Sequence, residues 1–150
     1  MTKLQAIREF ADAILGEHVT IARDKCDNGN WAMDIDNKNP RLKLPKDLDY
    51  EADVSDKAFR KDFVERCNCA KGFSHVTLTI LHECGHWATR SVFDIIEYDK
   101  LASKAYTQEQ YMEIPWEMLA TQWAICWLLC PANRKVAKAF ERSYFGYGKD

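Results

Sequence analysis

The sequence lacks an apolar run long enough to cross a bilayer. About twenty such residues are needed, and the longest run here, Trp123 to Cys130, is under half that. Nor does the N-terminus read as a secretory leader, because Arg8, Glu9 and Asp12 interrupt the stretch where its hydrophobic segment would lie. No two of the six cysteines have the C-x-x-C spacing of a zinc ribbon or a redox site. The expectation is a cytoplasmic chain, away from membranes, whose thiols are reduced. Charge of one sign is also scarce: 21 basic and 23 acidic residues leave a formal −2. Proteins that coat duplexes are strongly basic, so nucleic acid is not an expected partner. There is no internal repeat, low-complexity tract or Gly/Ser-rich linker.

What is present suits one globular unit. Apolar residues make up 47% and charged residues 29% of 150 residues, ordinary values for a single domain spanning 1–150. Leu4, Ile7, Phe10, Ala11, Ile14 and Leu15 recur at helical spacing, with Gly16 as the stop. His18 to Arg23, Trp31 to Asp36 and Arg41 to Leu44 alternate apolar with polar. The turn chemistry of Asp27-Asn28-Gly29-Asn30 predicts a hairpin between the first two, and Lys38-Asn39-Pro40 a second turn. A three-stranded antiparallel sheet is the economical expectation. Asp47 to Asp56 reads as polar loop and Ala58 to Cys67 as a short helix, and Ser74 can cap a longer helix running to about Arg90. Thr107 and Gln110 have capping-box spacing, Pro115 fits the first turn of a helix reaching Leu129, and Asn133 can cap a last one ending near Gly146. The fold class expected is α+β.

The chemistry concentrates in Leu78-Thr79-Ile80-Leu81-His82-Glu83-Cys84-Gly85-His86-Trp87, which contains H-E-x-x-H. Histidines at i and i+4 lie about 40° apart around a helix, so both imidazoles reach one ion. Zinc suits neutral imidazole, and Glu83, about 100° from His82, belongs beside the ion as a base for its water. His75, Thr79, His82, Glu83, His86 and Arg90 fall within an arc of about 90°, a narrow polar stripe on an otherwise apolar rod. Two surface histidines beside a glutamate would not predict such a stripe.

A third protein ligand is needed, and Glu117 stands out. It opens a helix that reads as apolar all round, where a lone carboxylate is costly unless paired or bound to metal. It shares a face with Ala120, Thr121 and Ala124, small residues that let this helix approach the one bearing His82 and His86. Thr121 can hydrogen-bond one of the ligands. The competing reading is a first-turn acid favoured by the helix dipole. Glu113 is the runner-up ligand, and Cys84, about 160° from His86, reads as a core thiol.

These residues carry a family resemblance. His82-Glu83-x-x-His86, then Glu117-x-x-Ala120-x-x-x-Ala124, then Leu128-Leu129-x-Pro131 resembles the ImmA/IrrE-like metallopeptidases, compact zincins of bacteria and their mobile elements. That pattern has H-E-x-x-H, a glutamate opening E-x-x-A-N-x-F-A, and an L-L-x-P close. Thr121 stands in place of its asparagine and Trp123 of its phenylalanine. The spacing from Ala124 to Leu128 is one residue longer than the pattern's. The peptidase half of ArdC-type antirestriction proteins is similar as well. The resemblance covers Ser74 to Pro131 and implies a minimal zincin fold with a helix and small sheet before the active helix. It also implies a hydrolytic Zn(2+) with a glutamate third ligand, and a protein or peptide substrate. The rival expectation is a mobile-element factor, antirestriction or host-defence blocking, that binds its target on the same scaffold with the metal in a structural role.

Other residues are weighed on the same terms. His75, on the order of 10 Å along the helix from His82, either lines the cleft or sits on the surface, with surface favoured. Tyr98, Tyr106 and Tyr111 flank the segment between the ligand helices, and one of them is a candidate oxyanion donor. Arg90 can pair with substrate or with Asp94. Cys126, Cys130 and the aromatics from Trp116 to Trp127 are expected in the core. Cys26, Cys67 and Cys69 are expected to be buried thiols rather than a second metal site. Asp34-x-Asp36 lacks the glycine and terminal glutamate of a calcium loop.

Overall fold

The computed structural model describes residues 1–26, 30–48 and 53–146, which build seven helices and one three-stranded sheet. The class is α+β. Helix α1 (Lys3–Leu15) opens on a Thr2/Gln5 capping box and closes at Gly16, whose φ of 68° is the left-handed cap that glycine adopts freely. Strands β1 (Thr20–Cys26), β2 (Ala32–Asp34) and β3 (Arg41–Pro45) follow, then α2 (Asp53–Arg66) and α3 (His75–Ala88). Helices α4 (Ile95–Ala102), α5 (Gln108–Met112), α6 (Pro115–Leu128) and α7 (Pro131–Phe145) complete the order. No helix among the described residues is long and apolar enough to cross a membrane.

The sheet corrects the expectation of an antiparallel array. Its order is β1-β3-β2, with β3 antiparallel to β2 and parallel to β1. Residues 35–40 form the one hairpin connection among the described residues, and β3 enters between the other two strands with Leu42 and Leu44 fully buried. Alternation at period two tells which face is buried, and it reads alike in parallel and antiparallel strands. Most of the turn expected at Asp27 to Asn30 lies outside the described residues. Helix α2 begins at Asp53, five positions before Ala58, so its first turn takes part of the segment expected as loop.

The core gathers around α3. Leu78, Ile80, Leu81 and Cys84 are fully buried, each aliphatic contributing about 1.5–3 kcal/mol. Helices α1 and α7 pack together behind it, with Phe10 stacked on Phe140 at 4.4 Å between ring centroids. Helix α7 also anchors the start of α3. Buried Glu141 accepts from the Ser74 backbone N–H at 2.6 Å and from the Thr77 hydroxyl at 2.5 Å. An acid there satisfies an otherwise orphaned donor and complements the helix dipole. Hydrogen bonds to charged groups contribute about 1.5–3 kcal/mol, so Glu141→Ala should lower stability by that order. Urea unfolding measures it, and an unchanged midpoint would remove Glu141 as the anchor.

Helix α6 departs from the all-buried rod expected of its composition. Only the face bearing Glu117, Ala120, Thr121, Ala124 and Leu128 is buried. Cys126 and Cys130 are exposed rather than in the core, and Leu129 is 58% exposed. The reason is one-sided packing: α6 lies on α3, and the turn of the helix sends these side chains outward. Helix α7 starts at Pro131 with Cys130 as its N-cap, and Asn133 lies inside it, donating to the Trp127 carbonyl.

Candidate metal centre

Helix α3 forms because Ser74 caps its first turn, accepting from the Thr77 N–H, and because most of its surface meets core. The remaining side is the polar stripe. His75, Thr79, His82, Glu83 and His86 all line a cleft of about 750 Å³. Arg90 leaves the stripe; its guanidinium lies 3.8 Å from the Trp87 ring centroid and donates to the Trp87 carbonyl. Asp94 instead caps α4, accepting from Ile96 and Glu97.

Across the cleft floor, α6 presents Glu117 from its first turn. Its Oε1 accepts from His82 Nε2 at 2.9 Å and from His86 Nε2 at 3.1 Å. All three side chains are buried, and their ligand atoms lie within 4.8 Å of one another. Helix α6 comes this close because Gly85 and Ala120 face each other: a Cβ on Gly85 would overlap the Ala120 carbonyl oxygen. Thr121, one turn beyond Glu117, places its hydroxyl 3.0 Å from His82 Nδ1. With an ion bound, that hydroxyl would accept the Nδ1–H and leave the Nε2 lone pair for the ion.

The donor set fits a divalent ion. Two imidazoles and one carboxylate from two helices converge in a buried spot, the ligand types and number of an open zinc site. The group of His82, His86 and Glu117 is the set of this kind found among the described residues, and it could hold a metal ion. Glu113 does not join it; it is exposed at the end of α5. Cys84 points into the core, and burial pushes its thiol up. Cys67 and Cys69 bring their Sγ atoms to 2.8 Å, while the Cys26 side chain lies outside the described residues.

Electrostatics separate the two glutamates. Burial alone would raise the Glu117 carboxyl, but hydrogen bonds from His82 and His86 outweigh it and hold the group well below the usual carboxylate range. Burial works against the charged form of His86, yet the hydrogen bond and charge of Glu117, with the charge of Glu83, push it up. Glu83 moves the other way from Glu117. Burial raises its carboxyl, against the two imidazoles and a backbone hydrogen bond from Met33 on β2. The two carboxyls are thus shifted in opposite directions within one cleft.

No protein family, characterised protein or solved structure matches this chain. The site therefore stands on its own geometry.

Several cleft residues escaped the sequence reading. Trp116, expected in the core, lies over the His86 ring at 4.7 Å and lines the cleft. Phe59 meets the His82 ring edge-on at 5.3 Å. His75 lines the cleft rather than the bare surface, 3.3 Å from Thr79 Oγ1. Of the three tyrosines, Tyr98 and Tyr111 reach Glu117 Oε2, whereas Tyr106 is 89% exposed. A capping box at Thr107 and a capping aspartate at Asp94 were the available signals that this segment is ordered.

Proposed function

We propose that this chain is a minimal zinc-dependent peptidase of the kind its motifs resemble, hydrolysing peptide bonds of a protein substrate in the cytoplasm. The observation that carries the reading is the buried convergence of His82, His86 and Glu117 with Glu83 beside them on one open cleft. What zinc would supply there is Lewis acidity, which polarises a carbonyl and acidifies water. His82, His86 and Glu117 would hold it.

The rest of the chemistry belongs to side chains of this chain. Glu83 takes a proton from the attacking water and delivers it to the leaving amine. Its carboxyl, raised by burial, is suited to both halves of that transfer. Strand β2 is the sheet edge beside the cleft, paired among the described residues on one side, to β3. An extended peptide can add its backbone to that edge, which would set the scissile bond over α3. Trp116 and Phe59 shield the imidazoles from bulk water.

Elemental analysis of protein purified without added metal tests the ligand set. The wild type should carry about one zinc per chain, and His82→Ala should carry almost none. Cleavage of an unstructured peptide pool should stop on chelation and return with zinc. Zinc content unchanged in His82→Ala would remove this histidine from the set. Cleavage indifferent to chelator would overturn the reading.

A further inference from the structure

The two oxygens of Glu117 face different company. Oε1 faces His82 and His86, while Oε2 accepts from Tyr98 at 2.9 Å and from Tyr111 at 3.1 Å. The phenols also touch each other, oxygen to oxygen, at 2.6 Å. Each phenol has one proton, so two protons serve three short contacts. The bonds are therefore shared. If one phenol donates to the other, the second donates to Oε2; otherwise both donate to Oε2. In every arrangement that uses both protons, Oε2 receives at least one.

That constraint bears on how Glu117 can bind an ion. A free carboxylate coordinates through one oxygen or through both, and the second mode uses a position that an open catalytic site keeps for water or substrate. Partners on the outer oxygen favour the first mode and fix the carboxylate plane. The phenols come from α4 and α5, outside the two helices that carry the ligands. Both line the cleft and both are partly buried. None of the eight residues of α4 is buried, and the helix is tied down by its Asp94 cap and by the Tyr98 phenol.

We propose that Tyr98 and Tyr111 are positioning residues that restrict Glu117 to one-oxygen coordination, sharing Oε2 between them and reserving Oε1 for the ion. The inference rests on the metal-centre reading. Through these phenols, α4 and α5, the segment between the ligand helices, set the coordination number. Because either phenol alone can occupy Oε2, their removal is not additive.

Tyr98→Phe, Tyr111→Phe and the double variant keep both rings and delete the hydroxyls. Three readouts apply: zinc affinity by competition with a chromogenic chelator, the visible spectrum of the cobalt(II) form, and thermal unfolding without metal. The double variant should lose roughly 10- to 100-fold in zinc affinity. Its cobalt absorption should weaken as coordination rises above four. Each single variant should lose less than half as much, on a logarithmic scale, as the double. Wild-type zinc affinity and cobalt spectrum in a folded double variant would overturn the proposal. Should the double variant not fold, the single variants decide by zinc affinity: a loss in either with the cobalt spectrum kept sustains it, and two wild-type affinities overturn it. Failure of the metal reading itself has a separate signature, since wild-type protein would then take up neither zinc nor cobalt, and both proposals fall.

Discussion

Glu83→Gln is expected to keep its zinc and its unfolding temperature while turnover falls by roughly 10²- to 10⁴-fold, the usual contribution of a positioned general base. Glutamine has the same shape and can fill the same place on α3, but it cannot take a proton. Glu83 is not among the three converging donors, so metal content should not change. It faces the cleft, half-buried, with burial holding its carboxyl above the ordinary range. A carboxylate whose pKa is raised is a better base than a free one. Zinc stoichiometry and peptide cleavage, measured on the same preparation, read the two halves of the expectation. A fully active Glu83→Gln enzyme would strip Glu83 of its role. The same variant separates the peptidase from a binding factor built on this scaffold. If the biological effect on the target persists in Glu83→Gln while cleavage is gone, the protein acts by binding and the metal is structural.

The candidate metal centre was more legible in the sequence than the sheet, for a physical reason. Ligand helices announce themselves twice, through a 3.6-residue period and through caps, so Ser74, Pro115 and the facing of His82, His86 and Glu117 could all be read. The alanines beside Glu117 carried information about a neighbour, and the α3–α6 contact is where they lie. The same helical arithmetic puts Thr121 within reach of a ligand, and its hydroxyl lies against His82. Strand pairing has no such redundancy. β1, β2 and β3 each state which side is apolar, and none states which strand lies next to it, so the insertion of β3 went unread. Helix α4 was hidden because its eight residues bury none fully; it is tied down by a cap at Asp94 and by one phenol. Hydropathy also misplaced Cys126 and Cys130, since a side chain's preference for the interior is met only where another element covers it.

Gly85→Ala should destabilise the fold by about 1–3 kcal/mol, the range for forcing a methyl into a full interior, and weaken zinc binding with it. At an exposed helix position the same change stabilises by roughly 1 kcal/mol, because alanine is the better helix former. The sign reverses here because of what the methyl would meet. An ideal Cβ on Gly85 overlaps the Ala120 oxygen and stands 3.0 Å from its carbonyl carbon and Cα. Those are backbone atoms of α6, so no side-chain rotation relieves the overlap; the helix itself must move. Ala120 is one turn from Glu117, and any shift of α6 away from α3 carries the carboxylate away from His82 and His86. Stability and zinc affinity should therefore fall together, unlike Glu141→Ala, whose first effect is on the start of α3. Denaturant unfolding and chelator competition on the same protein measure both. A Gly85→Ala chain as stable as the wild type, or more so, would mean that the two ligand helices are not held at the separation the glycine permits.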